Sequence, residues 1–158
     1  MARWVWISLA ALAIVASVAL GWQQLAPSSR GNWIGTSDAA VLAQGHELYG
    51  QYCASCHGLN LEGQPEWTQR LPSGRLPAPP HDATGHTWHH PPDVLFGIVK
   101  EGVEMFAPAG YESDMPGFGG VLSDAQIWAV LAYIRSTWPD EVKRRYEVLE
   151  GRERSSVR

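Results

Sequence analysis

The chain contains two cysteines, three positions apart, with a histidine directly after the second: Cys53-Ala54-Ser55-Cys56-His57. Several chemistries use paired cysteines. A redox-active dithiol normally opens a helix after a strand in a βαβ setting, whereas here the pair follows a helical pattern and no segment alternates long enough to argue for a sheet. Structural zinc takes four ligands, so with two cysteines the histidines would have to complete the site. A plain disulfide leaves His57 unexplained. Covalent haem attachment accounts for all three residues. Cysteines at this spacing reach the two vinyl groups on one edge of the macrocycle as thioethers, and the adjacent imidazole is held beneath the iron. One such motif implies a single haem c, with Cys53, Cys56 and His57 binding it and His57 on the metal.

The surrounding chain is short of apolar core for its length. Sixteen glycines and eleven prolines favour loops. Asp38–Tyr52 places Val41, Leu42, Gly45, Leu48, Tyr49 and Tyr52 on one helical face, with Thr36 or Ser37 as the expected N-cap and Asp38 in the first turn. Gly45 on the apolar side points to a second helix crossing close by. Residues 58–92 read as a long loop, which in a compact domain implies a task such as wrapping a cofactor. Pro92 and Asp93 open a short helix, with Val94, Leu95, Ile98 and Val99 inward and Gly102 at its end. After a second loop, Ser123-Asp-Ala-Gln126 is a capping-box pattern that starts a helix with Ile127, Val130, Leu131, Ile134 and Trp138 on one face. Residues 140–158 carry six basic and five acidic side chains, as expected of a solvated helix. The expected class is all-α: three main helices and two long loops around the macrocycle, with an apolar helix at the N-terminus.

That apolar segment follows Arg3. Trp4–Trp22 just reaches the roughly 20 residues of a membrane span, with Trp4, Trp6 and Trp22 at its ends, where an aromatic belt sits. Ser17-Val18-Ala19 offers a competing signal-cleavage site. The anchor is the favoured reading, and either one places the rest of the chain outside the cytoplasm, anchored to the membrane or freely periplasmic. Residues 23–36 read as a flexible tether, 37–139 as the haem domain and 140–158 as a charged tail.

From about Asp38 to Trp138 the chain resembles a monohaem c-type cytochrome of class I. Gly45 and Tyr49 ahead of the attachment motif match the family's N-terminal helix, and Ile127–Ile134 matches the C-terminal helix that crosses it. Met115-Pro116-Gly117-Phe118-Gly119, just before Ser123, matches the loop that carries a methionine. The resemblance implies Met115 as the second axial ligand to the iron, with Met/His ligation raising the reduction potential. Met105 is the rival, but it comes too soon after the middle helix. The resemblance further implies that a proline carbonyl in the loop after the motif accepts the proximal histidine's N–H. Pro79 and Pro80 both qualify, and His81 stands where a leucine is usual.

His81, His86, His89 and His90 lie within ten residues. They are read as contacts to the haem propionates, with Trp88 on the macrocycle's edge, or as a solvated turn. A copper site is the third reading, since clustered imidazoles suit that metal. Between Asp38 and Arg135, eleven acidic and four basic side chains leave a formal charge of −7, which argues against nucleic acid as a partner. The expected function is electron transfer between membrane or periplasmic redox proteins, without catalysis. The alternatives are a haem enzyme subunit or sensor with a labile sixth ligand, and a copper-handling protein using the His81–His90 loop.

Overall fold

The structure is a computed structural model and describes residues 33–156. Among these residues every regular element is helical. The α-helices are α1 (Ala39–Tyr52), α2 (Ala54–His57), α3 (Pro92–Glu101), α4 (Asp124–Thr137) and α5 (Asp140–Ser156), with 3-10 turns at Trp33–Gly35, Thr87–His89 and Val103–Phe106. The apolar segment 1–22 lies outside the described residues. No helix among those described is long and apolar enough to cross a membrane.

Local chemistry sets the helix ends. Ser123 and Gln126 form the reciprocal capping box at the start of α4, satisfying two N–H groups that the helix itself cannot pair. At α1 the cap is Asp38 itself rather than Thr36 or Ser37. Its carboxylate accepts the Ala40 N–H at 2.9 Å and the Val41 N–H at 3.4 Å, while Thr36 Oγ1 accepts the Asp38 N–H at 3.1 Å. A carboxylate at a helix N-terminus gains from the dipole as well as from the hydrogen bonds, so the acidic residue takes the position. Pro92 occupies the first turn of α3, and Gly102 ends it at φ +94°.

α1 and α4 cross at Gly45, where a Cβ would lie 2.0 Å from the Ala129 carbonyl oxygen. Only a glycine lets the two backbones approach this closely. The core on that side consists of Leu48 and Tyr49 from α1, and Ile127, Val130, Leu131 and Ile134 from α4, closed by Leu95, Leu122 and Trp138. Ile34, within the stretch read as a tether, is 2% exposed and belongs to this cluster. The solvated helix expected at 140–158 has one buried face. Tyr146 is fully buried, its ring edge-on to Trp138 at 5.1 Å, and Val142 and Leu149 pack against the same cluster. In α3, Leu95 is buried and Val99 packs on the core, while Val94 and Ile98 are half-buried.

Candidate haem site

The Cys53–His57 motif forms its own helical turn. Cys53 ends α1 by donating its N–H to the Tyr49 carbonyl at 2.9 Å, then starts α2 by accepting from the His57 N–H at 2.9 Å. The turn stops at Gly58, φ +81°. Both cysteines are unpaired, Cys53 half-buried and Cys56 exposed. Burial, and secondarily the neighbouring Cys56, push the Cys53 thiol up to about 11, so the free group stays a neutral thiol. Tyr49 braces the turn from below. Its hydroxyl donates to the Gly58 carbonyl at 2.9 Å, and its ring is almost wholly buried. Burial, followed by the nearby Cys53 and Tyr133, raises its pKa well above the usual phenol value, so it remains a donor.

His57 is buried and held at both ends of its backbone, its carbonyl accepting the Gly63 N–H at 2.8 Å. Its Nδ1 lies 2.8 Å from the Pro79 carbonyl oxygen. A carbonyl can only accept, so Nδ1 carries the proton and Nε2 keeps a lone pair for a metal. This decides between the two candidate prolines. Pro79 is placed by a brace: Gln64 N–H donates to the Ala78 carbonyl at 2.9 Å, and His81 N–H donates to the Leu61 carbonyl at 2.8 Å. Gly63, at φ +68°, sits in the brace where a Cβ would come within 2.5 Å of the Pro80 nitrogen. Burial lowers the His57 pKa, opposed by the hydrogen bond to Pro79.

The second loop is spliced onto the end of α3. Phe118 N–H donates to the Val99 carbonyl at 2.8 Å, and Gly119 N–H to the Lys100 carbonyl at 2.9 Å. These are carbonyls that the helix terminus leaves free. Lys100 Nζ also bridges to Asp124 at 2.8 Å, tying α3 to the start of α4. The Phe118 ring meets Tyr52 edge-on at 6.3 Å, so the strap carrying Met115 reaches the residue next to Cys53. Met115 is half-buried, its N–H bonded to Ser113 Oγ at 3.1 Å, whereas Met105 is 75% exposed.

The histidines of the 81–90 loop do not converge on one point, although the His86 and His90 rings meet edge-on at 5.3 Å. His81 stacks on His57 with ring centroids 4.0 Å apart, His86 stacks on Trp67 at 5.2 Å, and the His89 ring abuts Trp88 at 3.8 Å. Among the described residues no three His, Cys, Asp or Glu side chains are grouped to hold a metal ion. Burial, then the neighbouring His57 and His86, hold His81 well below the ordinary imidazole value. Two of this site's residues carry roles that sequence reasoning missed. Trp138 donates its Nε1–H to the His81 carbonyl at 2.8 Å, and Tyr49 supplies the hydroxyl under the motif. The signal for Tyr49 was its place on the apolar face four residues before Cys53. For Trp138 no local signal exists, because its partner is 57 residues away.

A family model described as cytochrome c oxidase, cbb3-type, subunit III matches residues 40–134. The chain belongs to this family of c-type cytochromes. No solved structure matches it significantly. Membership implies binding of haem c and haem-based electron transfer, and the donor set fits that group. Two unpaired cysteines flank a turn ending in an imidazole whose Nε2 is free to ligate. The buried Trp88 Nε1 donor has no acceptor among the described residues, which suits a ligand bearing carboxylates, since buried donors are seldom left unpaired.

Proposed function

We propose that this c-type cytochrome carries a single covalent haem and passes one electron at a time between membrane or periplasmic redox proteins, without itself catalysing a reaction. The observation that carries the reading is the His57 Nδ1 contact to the Pro79 carbonyl at 2.8 Å. It fixes the tautomer and raises the basicity of the ligating nitrogen. In this reading Cys53 and Cys56 would hold the macrocycle as thioethers, and His57 and Met115 would ligate the iron. When bound, haem c supplies a one-electron iron couple. The protein contributes a strap stiffened by Pro116 and spliced to α3, and a buried proximal imidazole. Two firm ligands would keep reorganisation between oxidation states small and would leave no open position for a substrate. The family description supports a terminal oxidase among the acceptors. The sequence of residues 4–22 supports a membrane anchor with the haem domain on the periplasmic side. The acidic surface, formally −7 between Asp38 and Arg135, supports protein partners over nucleic acid.

The test is one preparation from native membranes. The expected result is haem that stays with the polypeptide under denaturing electrophoresis, at one haem per chain, titrating as a single one-electron wave. Membrane fractions should retain it through a salt wash. A haem that separates from the chain, or two redox waves, would overturn the carrier reading. Recovery in the soluble fraction with residues 1–19 missing would overturn the anchor alone.

A further inference from the structure

We infer that His81 is a positioning residue for the proximal ligand: its imidazole lies flat against one face of the His57 ring and sets the rotation of that ring, while the Pro79 carbonyl sets its direction. This rests on the reading of His57 as the iron ligand. The two rings have centroids 4.0 Å apart and planes inclined by 22°. The hydrogen bond to Pro79 runs in the plane of the His57 ring from a single atom, Nδ1. Such a bond fixes where the ring points but leaves it free to rock about the line joining the two atoms. A flat neighbour on one face removes that freedom.

A neighbour can do this only if it is itself immobile, and His81 is held at three points. Its N–H donates to the Leu61 carbonyl at 2.8 Å, and its carbonyl accepts from Trp138 Nε1 at 2.8 Å. Its Nδ1 is 2.8 Å from Thr87 Oγ1. These anchors come from three separate segments: the loop after the motif, the turn at Thr87–His89 and the end of α4. Tyr49 closes the remaining side, edge-on at 6.2 Å. An aliphatic side chain could fill the same space, but it offers no planar face and nothing for Thr87 to bond. The His81 ring takes part in no metal-binding group among the described residues, and its bonds to Leu61, Trp138 and Thr87 hold it against His57.

In low-spin ferric haem, the plane of an axial imidazole, together with the orientation of the second axial ligand, sets the in-plane magnetic anisotropy, which the paramagnetically shifted haem-methyl NMR signals report. The experiment compares these signals in oxidised holoprotein for the natural chain, His81→Leu, His81→Phe and Thr87→Val. The expected result is a changed spread and order of the methyl shifts in His81→Leu. His81→Phe, which keeps a planar face, should bring the pattern back towards the natural one. Thr87→Val should move it in the same sense as His81→Leu but less. A residue that merely filled space would give the same pattern with Leu as with Phe. A His81→Leu spectrum superimposable on the natural one overturns the inference, and if that variant yields no holoprotein, a Thr87→Val spectrum identical to the natural one does so. A His57→Ala chain that keeps the natural low-spin spectrum would instead overturn the ligand reading beneath it.

Discussion

At the scale of single residues, the two methionines of the second loop separate cleanly. Met115 is half-buried on a strap spliced to α3, whereas Met105 is 75% exposed. A thioether favours iron(II), and axial ligands command a range of roughly 0.8 V in haem potential. Met115→Ala should therefore lower the midpoint by on the order of 0.1 V and open the iron to carbon monoxide, while Met105→Ala does neither. Redox titration and carbon monoxide difference spectra of the two variants read this directly, and the reverse outcome would move the ligand assignment to Met105. The attachment motif itself was legible in the sequence because its chemistry is local: five consecutive residues carry it. The choice between Pro79 and Pro80 was not, because it depends on a brace from Leu61, Gly63 and Gln64 that sequence order does not reveal. The face-to-face contact of His81 with His57 was hidden for the same reason, although a histidine in place of the usual leucine marked the position.

At the scale of elements, what the sequence disclosed were the helix ends and the α1–α4 crossing. Caps are local, so Ser123, Gln126, Pro92 and Gly102 could be read directly, and only the contest between Ser37 and Asp38 went to the neighbour. The crossing was readable from one mid-helix glycine on an apolar face. It also yields a sign-dependent prediction. Alanine favours a helix over glycine by about 1 kcal/mol. At Gly50 nothing lies within 4 Å of a new Cβ, so Gly50→Ala should stabilise the holoprotein by about 0.5–1 kcal/mol. At Gly45 the new Cβ meets the Ala129 carbonyl oxygen at 2.0 Å and Tyr133 Cβ at 2.9 Å. Backbone cannot move aside as a side chain does, so overpacking of about 1–3 kcal/mol or more outweighs the propensity. Thermal unfolding of the two variants should shift in opposite directions, and a stabilised Gly45→Ala would mean that the helices do not cross there. The buried face of α5 escaped notice because charges dominate its composition. The signal was present all the same in Val142, Tyr146 and Leu149, spaced at i, i+4 and i+7.

At the scale of the whole molecule, the distribution of buried side chains decides what a covalently held haem would do for stability. The packed apolar cluster is concentrated where α1, α4 and α5 meet, around Tyr49, Ile127, Val130, Trp138 and Tyr146. Between Leu61 and Leu95, and again between Leu95 and Leu122, the hydrophobic side chains that pack on the cluster, Trp88, Phe96, Val99 and Phe118, are only partly buried. Ordering each residue of those two stretches costs about 1–2 kcal/mol of backbone entropy. Hydrogen bonds between loops recover only about 0.5–1.5 kcal/mol apiece. The loops' own side chains thus supply only part of the burial they need, and the apolar faces of a macrocycle fixed at Cys53 and Cys56 would supply more. Replacing both cysteines, Cys53→Ser with Cys56→Ser, should therefore release the haem and leave a chain that keeps much of its α1 and α4 helix content but loses fixed packing, the signature of a molten globule. Far-ultraviolet circular dichroism should fall only in part. Amide exchange should become unprotected first across residues 58–91 and 102–122, with protection lingering at the Gly45–Ala129 crossing. Well-dispersed amide resonances and a cooperative melt in the haem-free double variant would show that the loops order themselves, and that the core seen between α1, α4 and α5 is sufficient without the macrocycle.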